Sequence, residues 1–202
     1  SVGFATVKLL KEAGCNVTVP NAQTCCGQPA FNSGDLESAR TIATQVIHTF
    51  ERFDYVVAPS GSCAGMIHSH FPELFESDAA LGANWGARAQ ALAEKTYELT
   101  SFLVDVLGVT PTPPTYGARV AYHDSCSGLR ELGISAQPRS LLAAVEGLEI
   151  TELAEPEVCC GFGGTFCVKY PEISGRMVAN KVSDILGTQA DTVLAGDMGC
   201  LL

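Results

Sequence analysis

The chain has 202 residues, 47% of them apolar, and 12 basic against 22 acidic side chains give a net charge of −10. This length can bury a good core in one large or two small domains, while scattered Lys and Arg argue against nucleic acid, which needs clustered cations. No apolar run approaches the roughly 18–20 residues of a membrane helix, and no signal peptide is visible. The nine cysteines are an odd count in a chain with ample core. That points to metal or redox chemistry in a reducing compartment, hence a cytoplasmic protein, rather than a secreted disulfide scaffold.

In chain order, the pattern predicts a helix over Val2–Ala13, closed by Gly14 at its C′ position. A strand over Cys15–Val19 and a loop from Pro20 to Gly34 carrying Cys25 and Cys26 come next. Ile42, Val46, Ile47 and Phe50 recur at helical spacing within a helix from Asp35 to Arg52. Tyr55–Ala58 reads as a short buried parallel strand leading to Cys63. A long helical stretch over Trp85–Leu107 then reaches the Pro-dense segment Pro111–Gly117, where the boundary is placed, giving domains of 1–110 and 117–202. The second domain resumes with the strand Arg119–His123, which delivers Cys126 just past its end. Helices over Pro138–Glu146 and Pro171–Leu186, and strands over Leu148–Leu153 and Thr192–Ala195, complete it. Alternating strands and helices mean an α/β fold: two tandem homologous parallel-sheet domains. Their cysteine loops fall at the strand C-terminal edges, where such sheets bind ligands.

The tandem reading comes from an internal repeat. Cys25-Cys26-Gly27 returns as Cys159-Cys160-Gly161, offset by 134, and Asp54 to Cys63 returns as Asp191 to Cys200, offset by 137. Ser38–Ala43 matches Ser174–Ala179, and Gly14–Val19 is echoed by Gly147–Glu152, at offsets of 136 and 133. Cys126 leads the second set. Its counterpart in the first falls ahead of Ser1, so the first set is expected to have lost a leading cysteine, with the N-terminus starting late and the C-terminus truncated two residues past Cys200.

Cys126, Cys159, Cys160 and Cys200 match the ligand count of an iron–sulfur cluster or a structural zinc. Vicinal cysteines chelate one small tetrahedral ion poorly, and no Cys-x-x-Cys hairpin occurs, which favours a 4Fe-4S type of cluster with zinc as the alternative. Cys25, Cys26 and Cys63 form the partial first set. Asp197 and Ser60 each stand three residues before the distal cysteine, and the Asp197 carboxylate reads as a rare oxygen ligand, as a hydrogen-bonding neighbour of the ligands, or as a plain turn residue. His123 can tune the site or simply hydrogen-bond in its loop. Glycines in Gly161-Phe-Gly-Gly164 let amides approach a cluster, or merely make a turn. Cys167 lacks a counterpart, Cys15 reads as core, and His68 and His70 do not form a chelate.

These strings resemble the cysteine-rich CCG-domain family, which includes the cysteine-rich subunit of heterodisulfide reductase and the iron–sulfur subunit of glycolate oxidase. Thr24-Cys-Cys-Gly-Gln-Pro-Ala30, Pro59-Ser-Gly-Ser-Cys-Ala-Gly65, Tyr122-His-Asp-Ser-Cys126 and Cys159-Cys-Gly-Phe-Gly-Gly-Thr-Phe166 look most like its lactate-utilization branch. The resemblance implies an iron–sulfur electron-transfer component of a complex oxidising L-lactate to pyruvate. A ferredoxin-like iron–sulfur subunit and a third small subunit would be its partners. Ser60 and Asp197 depart from the five-cysteine form of the motif, so each half offers at most four thiolates.

Overall fold

A computed structural model describes residues 1–76, 84–109 and 115–202. The chain divides into two compact units, Ser1–Leu99 and Thr100–Leu202. Residues 111–114 of the Pro-dense segment lie outside the described residues.

The first unit opens with α1 (Val2–Glu12). Gly14 follows at φ +86°, a left-handed turn that glycine enters without a Cβ penalty. The strand expected over Cys15–Val19 is absent, and Cys15, read as core, is only half-buried. A strand exists by pairing, and among the described residues no neighbour offers this segment a ladder. Within the predicted cysteine loop, the chain after Gly27 turns into α2 (Gln28–Asn32), with Pro29 in its first turn. Asp35 then caps α3 (Leu36–Phe50) by accepting from the Ser38 amide at 3.1 Å. Ala39, Ala43, Val46 and Ile47 form the buried stripe of α3.

β1 (Val56–Ala58) runs into α4 (Gly61–Gly65), a π-helical turn at Met66–His70 and α5 (Phe71–Phe75). The long helix expected over Trp85–Leu107 is broken: α6 (Trp85–Ala93) gives way to β2 (Thr96–Glu98), α7 (Leu99–Ser101) and a π-helical turn at Phe102–Val106. Thr96 and Tyr97 prefer a pleated surface, and β2 pairs in parallel with β1, Val56 against Thr96. Tertiary pairing overrides the helical pattern there. Phe71, Ile47, Met66 and Leu92 are fully buried in this unit's core, each contributing about 1.5–3 kcal/mol through removal from water.

The second unit is a three-stranded parallel sheet in the order β4–β3–β5. β3 (Thr115–His123) is central, so its C-terminal half, Val120 to His123, is buried. β4 (Glu146–Thr151) and β5 (Thr192–Ala195) flank it, with Val120 against Ile150 on one side and His123 against Ala195 on the other. α8 (Cys126–Leu132) starts immediately past β3, capped by the Ser125 hydroxyl, which accepts from the Gly128 amide. α9 (Ala136–Ala143), α10 (Phe166–Lys169) and α11 (Pro171–Gly187) complete the unit. The architecture is mixed α/β with two parallel sheets.

Candidate metal centre

Backbone topology brings the second cysteine set together. β3 ends at His123 and hands Cys126 to the first turn of α8, while β5 ends at Ala195 and hands Cys200 to the 3₁₀ turn Met198–Leu201. Both cysteines therefore leave the same edge of one parallel sheet. The Cys159–Cys160 pair sits in the loop between β4 and α10, folded back by Gly161 at φ +94°. A Cβ at Gly161 would stand 2.6 Å from the Met177 Cβ on α11, so only glycine fits. The Ser174 hydroxyl donates to the Gly161 carbonyl at 2.8 Å and ties the turn to α11.

The four sulfurs lie near enough to influence one another in series. Cys159 contacts Cys126 and Cys160, and Cys160 also contacts Cys200. Cys126 is pushed well up as a donor to Cys159, with burial adding to the effect. Cys160 is pushed up as a donor to Cys159 and Cys200. Cys159 is pulled down because Cys126 and Cys160 donate to it, and the Gly161 amide adds its own N–H at 3.4 Å. Cys200 drops to about 6, chiefly because Cys160 donates to it. A cation entering the site would take the place of thiol protons with its own charge.

His123 is 2% exposed and lies beside these sulfurs. Its ring favours the Cys200 thiolate, yet neither ring nitrogen makes a hydrogen bond of acceptable geometry among the described residues. One donor atom each from His123, Cys160 and Cys200 lie within 4.8 Å of one another. Asp197 caps the last turn, accepting from the Gly199 amide at 2.9 Å. The Phe162 ring covers Gly199, where a Cβ would meet it at 2.7 Å. The Cys167 thiol donates to the Gly164 carbonyl at 3.1 Å within its own turn.

Arg139 is the residue that the sequence pattern did not flag. Its guanidinium forks onto Asp124 at 2.9 and 2.7 Å and onto Glu152 at 2.7 and 2.8 Å. It also lies 5.2 Å from the Tyr122 ring centroid. Asp124 is buried and stands between His123 and Cys126 in sequence, so this clamp holds the segment that supplies both. No short motif announces a pair separated by fifteen residues.

The first unit repeats part of this plan. The Cys26 and Cys63 sulfurs stand 3.5 Å apart, in positions equivalent to Cys160 and Cys200. Cys26 is pushed up by donating to Cys63 and by burial. Cys25 is exposed and takes the Gly27 amide at 3.4 Å, matching the distance at Cys159. The Cys25–Cys26 pair follows unpaired chain rather than a strand, which corrects the expectation that both cysteine elements of each half do so. Ser60 precedes α4 in extended backbone, as Asp197 precedes the last turn, and its hydroxyl lies 3.2 Å from that of Ser62.

The cysteine-rich CCG domain profile matches residues 1–68 and 120–202, and the chain belongs to that family. It is 49% identical over 201 residues to "Lactate utilization protein A" of Oceanobacillus iheyensis, covering all of this chain and 80% of that protein. It is 50% identical over 204 residues to the protein of the same name from an Exiguobacterium species, covering all of this chain and 81% of the relative. The Bacillus cytotoxicus "Lactate utilization protein A" is 48% identical over 202 residues, with 82% of its length covered. Two matched segments, one per unit, agree with the tandem organisation. No helix among the described residues is long and apolar enough to cross a membrane.

Proposed function

We propose that this protein is an iron–sulfur electron-transfer subunit of a complex that oxidises L-lactate to pyruvate. The gathering of Cys126, Cys159, Cys160 and Cys200 into one contact chain carries the reading, because four thiolates are the protein ligand set of a 4Fe-4S cluster. The buried and unpartnered His123 ring beside them fits a site built for a cation. Relatives named for lactate utilization supply the substrate.

L-Lactate oxidation releases two electrons and two protons, and a cluster held here would supply one-electron storage. This chain's residues would hold it, exclude water through Phe162, and set its surroundings through the Gly161 amide. The ferredoxin-like iron–sulfur subunit and the third small subunit would be the electron partners, in the cytoplasm. Cys25, Cys26 and Cys63 would contribute to a second centre.

A zinc-binding module is the second reading, favoured by the 4.8 Å grouping of His123, Cys160 and Cys200, which is tight for a multi-iron cluster. Anaerobic purification followed by iron, sulfide and zinc analysis decides between them. Iron with equimolar sulfide and restored growth of a deletion strain on L-lactate support the first reading. Colourless zinc protein, or growth restored on glycolate alone, overturns it.

A further inference from the structure

We infer that the His123 ring is a nitrogen ligand to the metal held by Cys160 and Cys200, making the second unit's centre a mixed nitrogen–sulfur site. The inference rests on the metal-centre reading above and specifies one of its ligands. A buried histidine kept for structure hydrogen-bonds through at least one ring nitrogen, commonly to a backbone carbonyl or carboxylate. His123 does neither: both nitrogens are buried without a partner among the described residues. Each such orphan is costly, because a buried polar atom forfeits its bonds to water without replacement. The neighbouring carboxylate is no remedy, because Asp124 is taken by both arms of Arg139.

The ring's position is fixed by the backbone. His123 is the last residue of β3 and pairs with Ala195 of β5, five residues before Cys200. Its nitrogen, the Cys160 sulfur and the Cys200 sulfur lie within 4.8 Å of one another. Bonds of about 2.0–2.3 Å to one ion would place tetrahedral donors about 3.5–3.8 Å apart, so a contraction of about 1.3 Å at most closes the set. An imidazole nitrogen is neutral and adds no negative charge, so a site that includes it has a higher iron potential than one with the same number of ligands that are all thiolates.

The test uses the whole chain, reconstituted anaerobically with iron and sulfide, with its histidines labelled with ¹⁵N. Pulsed paramagnetic resonance should show hyperfine coupling of a directly bound histidine nitrogen in the reduced protein. The coupling should vanish in His123→Asn. His123→Cys should recover the iron and sulfide content without the nitrogen coupling and lower the reduction potential. Circular dichroism of each variant establishes that it is folded. Full iron and sulfide with no strong nitrogen coupling in the parent chain overturns the ligand assignment and leaves the cluster reading standing. If the parent chain takes up neither iron nor sulfide, the cluster reading fails, and the same coupling is sought with Co²⁺ alone. Its presence in the parent and loss in His123→Asn supports a mixed-ligand ion site; its absence overturns the ligand assignment too.

Discussion

The Cys25–Gly27 and Cys159–Gly161 turns share a backbone plan but are held with different firmness. Each ends in a glycine at positive φ whose amide donates 3.4 Å back to the first cysteine sulfur. Each is followed by a short helix, a long helix, a parallel strand and the distal cysteine. At Gly161, however, the turn is pressed against α11 and tied by the Ser174 hydroxyl, whereas the hydroxyl of the equivalent Ser38 serves Asp35. A Cβ at Gly27 would meet the Ile42 side chain at 3.3 Å, a contact that a small shift relieves. Duplication has preserved the turn and let its support diverge.

The largest contrast should appear in metal content. Cys160→Ser is expected to remove the second unit's iron and sulfide and with them growth on lactate, while Cys167→Ser changes neither, its thiol being engaged with Gly164. Iron and sulfide per chain decide this. Full occupancy in Cys160→Ser, or loss in Cys167→Ser, means that the ligand set is wrong.

Next comes the glycine pair. Gly161→Ala adds a left-handed penalty of about 1–2 kcal/mol to an overlap of about 1–3 kcal/mol against Met177. Gly27→Ala should bear little beyond the first term. Denaturant unfolding that gives equal losses would erase the difference between the turns.

Smaller again is the ion-pair contrast. Asp124→Ala should cost about 2–3 kcal/mol, because it strands part of a half-buried guanidinium, though Glu152 still holds the rest. Glu51→Ala in the first unit breaks a more exposed bridge to Arg88 and should cost less than about 1 kcal/mol. Chemical denaturation of the two variants side by side measures both losses.

The smallest effect is in acid. Arg139 holds the Glu152 carboxyl below its ordinary range. Its contribution is therefore complete above the unfolded carboxyl value, about 4.5, and fades as pH falls through the lowered folded one. Glu152 is half exposed, so screening keeps the effect under about 1 kcal/mol. Glu152→Gln should flatten the acid limb of the stability curve; an unchanged limb between pH 5 and about 3 removes this bond from the account.

Short-range chemistry was legible in the sequence, and long-range pairing was not. Gly14, Asp35 and Pro171 mark real helix ends, because caps act within one turn. β5 was readable to the residue, as a short apolar run between polar neighbours. β2 was hidden inside a helical pattern because only its partner β1 makes Thr96–Glu98 a strand. Cys15–Val19 failed for the converse reason, having strand composition without a neighbour. The repeat located the cysteines, but the bare His123 ring and the Arg139 clamp depend on burial, which no spacing rule reports.

The strand order β4–β3–β5 also sets a timetable. β3 is synthesised first and occupies the middle, yet β5, which carries the chain to Cys200, pairs with it across an interval of 72 residues. Contacts that distant in sequence form late, since the loop must close before any bond rewards it. On the ribosome, Cys126, Cys159 and Cys160 emerge before Cys200, the fourth cysteine of the proposed centre. Metal loading at the proposed centre would therefore follow the docking of β5, with three thiols exposed to premature capture of an ion while the sheet is still open.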